Sequence, residues 1–486
     1  MTAEVLVIGA GPAGLCAAAA AREAGAEVRL LDAADATGGQ YWRDLPVSRS
    51  DGSESSLHHD WAHYVRLRDS LESDPGVRVD LGAHVWALGR DDRGIRVDVV
   101  HGQADGTERA TERIRTRSLV LATGAYDRAL PIPGWTLPGV FTAGAAQALA
   151  KGERVAVGKR VIVAGAGPFL LPVSQALGQT GARVVAVVEA GRPGHLARAW
   201  LRRPSELLAA RGKAAELGGY VWDMLRRRVP YRAGHGVVEI HGRHEVEAVT
   251  IARLDARWRP IAGTERRFDC DAVCLGHGFT PRLELAIAAG CRLDERRFVE
   301  VDDAQLTTVP GVYAAGELTG IGGADLAQAE GRIAGWAAAG GALDADPLAP
   351  ARRARSRMRG FAARIEDAHG IGADWPRWLR DDTVVCRCEE VDRATLRRVA
   401  AGTDASGLRS LKLTTRAGLG ACQGRVCGRT VEQLLAAHLT TPGGTRSEVV
   451  GTDRRPVAAP LRLGELARYG EPSATPSCSA PQKEQP

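Results

Sequence analysis

The chain has 486 residues, 44% of them apolar and 25% charged, and its net charge of +6 is carried mainly by arginine. That length allows roughly two to four domains with separate cores, and the composition is that of an ordinary globular protein. Its arginines are interspersed with acids, as at Arg90-Asp91-Asp92-Arg93, so no single-sign stripe marks a nucleic-acid partner.

No apolar run reaches the length of a transmembrane helix, and residues 1–4 lack the basic start of a secretory leader. A cytoplasmic location is expected, and there the nine cysteines are not expected to form structural disulfides.

Residues 4–8 read as a continuous apolar strand, 12–24 as an Ala-rich helix and 27–31 as the next strand. Between the first strand and the helix, Gly9, Gly11 and Gly14 form G-x-G-x-x-G, with Pro12 and Ala13 in the gap. The first glycine allows a tight turn, the second lets backbone approach a pyrophosphate, and the third lets helix and strand close. The helix start then offers free N–H groups to phosphate. Asp32 ends the second strand, where a carboxylate accepts ribose hydroxyls.

Residues 119–124 (LVLATG) read as a short strand running into a turn, and Pro131, Pro133, Gly134, Pro138 and Gly139 mark an irregular crossing. The cycle then restarts: strand 160–164, a glycine turn, helix 170–180, strand 183–188. Such an internal repeat implies a second dinucleotide fold. Its loop carries Gly165 and Gly167 but has Leu170 at the third glycine position, and Glu189 closes the following strand. This fold is expected to bind NAD(P) or another nucleotide for redox chemistry, to hold one structurally, or to hold none. Strand 272–275 and residues 276–281 lead back to the first fold, where 311–316 form another strand before a helix starting near Gly322. The Arg/Ala-rich residues 344–380 read as a helical connector, and the tail from Ser473 on as disordered.

Cys386-Arg-Cys388 and Cys422-Gln-Gly-Arg-Val-Cys427 make two tight pairs in a short segment. Four thiolates suit tetrahedral zinc or a [2Fe–2S] cluster, although Cys-x-Cys is an unusual first pair for zinc. Cys16, Cys270, Cys274, Cys291 and Cys478 read as structural. No second thiol is spaced for disulfide exchange beside a flavin, so that chemistry is disfavoured.

Several segments carry a family resemblance. Thr123-Gly124 and residues 312–317 (VYAAGE) resemble the second and third FAD motifs of the glutathione-reductase-like flavoproteins. The likeness covers roughly residues 3–340. It implies that Glu317, after Gly316, bonds a ribityl chain, that Val85 meets adenine through backbone, and that Gly38-Gly39-Gln40 with Trp42-Arg43 form a flavin-contacting loop. The contexts VVCRCEEV and TRAGLGACQGRVCG resemble the bacterioferritin-associated-ferredoxin-like [2Fe–2S] module. That likeness implies Cys386, Cys388, Cys422 and Cys427 as iron ligands, with Gly424 and Gly428 giving backbone room.

Together with residues 122–151 and 161–177, these motifs make the chain similar to the alpha subunits of the opine oxidase, D-hydroxyproline dehydrogenase and hydrogen cyanide synthase group. The resemblance implies an α/β fold with two glutathione-reductase-like dinucleotide folds, one inserted in the other, plus a small, mainly α [2Fe–2S] module. The expected division is an FAD-binding domain from 1–140 and 282–345, a second dinucleotide domain at 141–281, a connector at 346–380, the cluster module at 381–445 and a tail at 446–486. The group also implies a D-amino-acid-oxidase-like flavoprotein partner, a small ferredoxin-like subunit, and an electron-transferring role for this chain. A self-sufficient NAD(P)H-dependent flavin and iron–sulfur reductase is the alternative, as is a redox-sensing binding protein. No catalytic residue stands out: His277 reads as a satisfied structural histidine, and Arg43 as a contact to phosphate or substrate.

Overall fold

The computed structural model describes residues 2–50, 52–202, 211–403, 408–439 and 457–469. Strands Val77–Asp80, Val28–Leu31, Thr2–Ile8 and Ala110–Leu121 lie side by side in parallel, and Val312–Ala314 adds to the last of them. Val5, Leu6 and Val7 are inaccessible to solvent: Val5 and Val7 pack with Leu15, Ala18 and Ala334 of the helices on one face, and Leu6 with Val85, Val97 and Val99 of antiparallel strands on the other.

The strand expected at 119–124 is the end of a longer one, Ala110–Leu121. Its apolar end joins the parallel sheet, while its mostly polar start, Thr111 to Thr116, pairs antiparallel with Gly94–His101 and through it with Ala83–Asp91. Helices Pro12–Glu23 and Gly323–Ala338 cross at close range. A Cβ on Gly331 or Gly335 would lie 2.0 or 1.9 Å from the carbonyl oxygens of Ala13 and Ala17, so no other residue allows this approach.

The second sheet is wholly parallel, in the order Tyr231–Ala233, Arg183–Glu189, Arg160–Gly165, Ala272–Gly276, Val140–Thr142. A three-stranded antiparallel sheet, His235–His241 with Ala248–Arg253 and Arg266–Asp269, packs beside it. The chain leaves the first fold along Ala125–Asp127 and returns along Phe279–Pro281, and the two segments pair antiparallel.

The connector contains the helix Ala349–His369 and a short turn at Trp375–Trp378. It is clamped rather than loose. Trp375 and Trp378 are buried in the second fold's core, the Trp378 indole donates to the Trp258 carbonyl at 2.6 Å, and Asp374 accepts from Arg257 and Arg259.

The cysteine module has the two-strand ribbon Val384–Cys386 and Val391–Asp392 and helices Arg393–Gly402, Leu408–Thr415 and Gly428–Leu439. Val385, Leu396, Leu411, Val431 and Leu435 form its core. Part of the segment expected as tail is anchored: Glu465 accepts two bonds of 2.7 Å from the buried Arg109, and Tyr469 stacks edge-on against Trp86. Ser473 and Cys478 lie outside the described residues. Among the described residues no helix is long and apolar enough to cross a membrane.

Candidate functional site: a cleft shared by three units

At the first glycine loop, a Cβ on Gly14 would sit 1.6 Å from the Gly9 carbonyl oxygen, and one on Gly9 2.3 Å from that of Ala122. Strand, loop and helix therefore meet as bare backbone. Gly11 precedes the helix, which opens on Pro12, and Ala13 follows. Proline there forfeits no hydrogen bond, and the next N–H groups point into the cleft mouth. Asp32 accepts from the Ala10 and Ala34 N–H groups and stays half-exposed at the rim. Gly39 lies against Gly11, with room for no Cβ (2.9 Å to the Gly11 Cα), and Gln40 beside it is exposed. Trp42 is buried and stacks on Tyr64 at 5.1 Å, which fixes this loop. Val85 lines the same wall from strand Ala83–Asp91. Thr123 donates to the Arg282 carbonyl at 3.0 Å, and the Gly124 carbonyl accepts the Arg282 N–H, so both sit where the folds join.

Glu317 faces the opening between Gly316 and the helix Gly323–Ala338. Its Oε1 accepts the Gly323 N–H at 3.0 Å, while its Oε2 is shut off from solvent with no partner. Burial, opposed by the Gly323 N–H, pushes its carboxyl up to about 7. A buried orphan acceptor costs free energy until a donor reaches it, and a polyol hydroxyl is such a donor. Beneath it lies Glu330, which accepts from the Gly316 N–H at 3.1 Å and from the Thr319 hydroxyl at 2.7 Å. Burial raises its carboxyl too. Sequence reading missed Glu330; its signal was an acid past the first turn of the small-residue helix ADLAQAEGRIAGWAA.

The second fold places Gly165 and Gly167 at the end of strand Arg160–Gly165, and its helix begins only at Leu170. Glu189 has no solvent exposure. It accepts the Gly167 N–H at 2.9 Å and the Gly191 N–H at 2.7 Å. The His369 Nδ1, at the end of the connector helix, lies 3.3 Å from it, and the Trp200 indole in turn donates to His369 Nε2. The carboxylate that the sequence offered to a ribose is thus occupied by the protein itself.

In the cysteine module the Cys386 and Cys388 sulfurs are 4.0 Å apart, those of Cys388 and Cys422 3.8 Å, and Cys427 bonds to both Cys386 and Cys422. Hydrogen bonds from Cys427 lower Cys386 to about 6 and Cys422 to about 4, whereas burial raises Cys388 to about 11. Four cysteines gathered in one small module, with neighbouring sulfurs 3.8 and 4.0 Å apart, are the kind of donor set that soft metal takes. A Cβ on Gly420 would stand 2.4 Å from the Cys388 sulfur, so Gly420 supplies the backbone room at that ligand. Sequence reading looked for that room at Gly424 and Gly428. The other described cysteines are buried, and burial pushes Cys16 and Cys270 up to about 12 and raises Cys274 and Cys291. None lines the cleft.

These parts border one continuous cleft of about 3130 Å³, several times the roughly 300–1,000 Å³ of a small-ligand pocket. It runs from Gly9 and Asp32 past Glu317 to Cys422 and on to Gly167. Between the first fold and the cysteine module, Arg425 pairs with Glu284 at 2.7 Å and donates to the Tyr126 hydroxyl at 3.1 Å. Arg282 lies over the Tyr126 ring. His277 is buried between Trp258 and Trp378 with its Nδ1 unpartnered, so it is structural in placement but not satisfied. Arg43 is exposed, its stem against Gly152.

Residues 3–339 match the model of the pyridine nucleotide-disulphide oxidoreductase family, and residues 384–437 that of the BFD-like [2Fe-2S] binding domain. Hydrogen cyanide synthase subunit HcnB of Pseudomonas aeruginosa is 32% identical, covering 88% of this chain and 91% of that protein. An opine oxidase subunit of Agrobacterium tumefaciens is 33% identical, covering 96% and 91%. Among solved structures, L-proline dehydrogenase from P. horikoshii has the same fold, with a TM-score of 0.67, 20% identity and coverage of 96% of this chain and 80% of that one. The chain is therefore a flavin-dependent member of the pyridine nucleotide-disulphide oxidoreductase family that carries a BFD-like [2Fe-2S] domain.

Proposed function

We propose that this chain is the electron-transferring flavoprotein subunit of a multi-subunit dehydrogenase or oxidase acting on an amine or imino acid of the opine, hydroxyproline or glycine type. The observation that carries the reading is the shared cleft: the first-fold loops and Cys422 line the same space, with Arg425, Tyr126 and Glu284 between them. Gly9, Gly11, Gly14 and the Pro12 helix start would hold a pyrophosphate, Asp32 a ribose, and the Val85 backbone an adenine. Gly39, Gln40, Thr123, Gly124 and Gly316 would border the flavin, and the Glu317 Oε2 would accept a ribityl hydroxyl. Cys386, Cys388, Cys422 and Cys427 would hold the cluster. FAD supplies a two-electron acceptor that gives up electrons singly, and the [2Fe–2S] cluster a one-electron carrier. Bare backbone at the glycine loop keeps side chains off the nucleotide, and the Arg425–Glu284 pair holds the cysteine module against the first fold.

One feature supports assembly with a substrate-oxidising partner: the relatives above are themselves named as subunits. A D-amino-acid-oxidase-like flavoprotein would oxidise the substrate, and a small ferredoxin-like subunit would complete the complex. A cytoplasmic location fits the free cysteines. The saturation of Glu189 disfavours direct reduction by NAD(P)H at the second fold.

An anaerobic absorbance spectrum with flavin, iron, zinc and sulfide assays tests the cofactor reading. Flavin bands with about two irons and two sulfides per chain are expected. Zinc in place of iron, or no flavin, refutes it. Rapid bleaching by NADH would replace it with the reductase reading. No turnover with a dye acceptor, even beside the partner flavoprotein, would leave a redox sensor.

A further inference from the structure

We propose that Arg128, Arg429 and His277 form an anion-binding subsite, for a phosphate or carboxylate group, where the two folds meet the cysteine module. All three line the shared cleft, on a wall distinct from the first glycine loop. Arg128 follows the linker strand Ala125–Asp127, and its N–H donates to the Gly278 carbonyl at 2.9 Å, beside His277. Its Nη2 donates to Gln433 Oε1 at 2.7 Å, while its Nε is buried with no partner. Gln433 and Arg429 stand one turn apart on the helix Gly428–Leu439 and so share a face. The Thr430 hydroxyl, donating to the Ala129 carbonyl at 3.4 Å, pins that helix to the linker.

Arg128 and Arg429 therefore line one part of the cleft, and the carboxylate nearest Arg429, Glu432, is shared with Arg297. Glu432, on the same helix, is committed to Arg297 at 2.5 Å and lies 3.8 Å from Arg429. Glu366 lines the cleft from the connector helix and is exposed. Burial and the like charge of Arg429 pull Arg128 down to about 10, which still leaves it charged at neutral pH. His277 is 4% exposed; burial takes it down to about 3, so it is a neutral imidazole whose unpartnered Nδ1 can carry a proton to donate. Partly buried guanidinium groups that share one carboxylate are incompletely neutralised and costly, and a forked, always-charged donor matches phosphate and carboxylate oxygens in pairs. An anion would relieve the repulsion and fill the open donors at the same time.

Position gives the subsite a consequence. Arg429 follows Cys427 by two residues, so a bound anion would stand within about a helical turn of a cluster ligand. Negative charge there disfavours the reduced cluster, and by linkage the reduced cluster binds the anion more weakly. A tenfold difference in affinity between oxidised and reduced forms reads as about 59 mV in a one-electron potential.

The test is calorimetry on the flavin- and iron-loaded protein, with inorganic pyrophosphate and acetate as separate probes, followed by a redox titration of the cluster at saturating probe. Saturable binding of one probe is expected, and which one binds identifies the anion. Arg128→Gln and Arg429→Gln should each weaken it at least about tenfold, Arg128→Lys should fall between, and the exposed Arg243→Gln should leave it unchanged. The probe should lower the cluster potential in wild type and not in Arg429→Gln. No saturable binding of either probe, or binding that survives both glutamine variants, overturns the subsite; the second result would move the anion to the Gly165–Gly167 loop. Flavin and iron are counted on the same samples, so normal cofactors without anion binding refute the subsite alone, and missing cofactors refute the functional reading separately.

Discussion

The two glycine loops start from the same strand–turn–helix plan and end differently. In the first, the helix opens at Pro12, three residues after Gly9; in the second it opens at Leu170, five residues after Gly165. Gly14 lets its helix lie directly on the turn. Leu170 cannot do that, and its turn is closed instead by the longer bond from the Leu170 N–H to the Gly167 carbonyl at 3.3 Å. The helix N-terminus, which carries the positive end of the dipole, is thereby drawn back from the loop. The acids diverge in parallel: Asp32 remains half-exposed, and Glu189 is sealed under His369. One missing glycine and one covering histidine thus separate a loop whose acid reaches the rim from one whose acid is buried.

Exchanging the third positions tests this most severely. Gly14→Leu forces a Cβ to within 1.6 Å of the Gly9 carbonyl oxygen, and the purified chain should lose at least about nine-tenths of its flavin, with a melting temperature lowered by the cost of overpacking, about 1–3 kcal/mol or more. Leu170→Gly removes a side chain that is 1% exposed, so it should cost about 2–5 kcal/mol in denaturant unfolding and leave flavin content unchanged. Full flavin in Gly14→Leu would erase the distinction between the loops.

That distinction shows what was legible beforehand. The glycine spacing, Asp32 and the two cysteine pairs are local patterns, and the structure brings each set together. The unread features join distant segments: Arg425 meets Tyr126 across 299 residues, and His195 and Trp200 meet the connector across 172 and 169. Nothing in GAGPFL or VVAVVE announces that a helix from beyond residue 349 will cover Glu189. Likewise the first half of Ala110–Leu121 is mostly polar and shows no alternation in sequence, so its partner Gly94–His101 is what reveals the strand and its register.

Glu189→Gln comes next in size. Both oxygens accept backbone N–H groups, and an amide can accept at only one end while its NH₂ faces a donor. A loss of about 1–3 kcal/mol in unfolding free energy follows, with unchanged flavin content. If flavin falls along with stability, the second fold is not independent of the first.

Asp32→Asn should act in the opposite sense, on ligand rather than on fold. The rim carboxylate loses its charge-assisted bonds to ribose, worth about 1.5 kcal/mol or tenfold in FAD affinity, read by titrating FAD into flavin-free protein. An unchanged affinity would mean that the half-exposed acid serves only its two backbone partners.

The last effect is a pH dependence confined to the first fold. Glu317 is held up to about 7 against an ordinary 4.5, chiefly by burial. The folded, flavin-free protein therefore binds this proton more tightly than the unfolded chain, so the group's contribution to stability is complete below about 4.5 and declines as pH rises through about 7. Glu317→Gln mimics the protonated form at every pH. The melting temperature of wild type relative to this variant should drop between those two values and level off above them, and a hydroxyl donated to Oε2 by bound flavin should flatten the slope. If the flavin-free pair instead run parallel across that window, the Glu317 Oε2 already has a donor within the protein, and its claim on a ribityl chain fails with it.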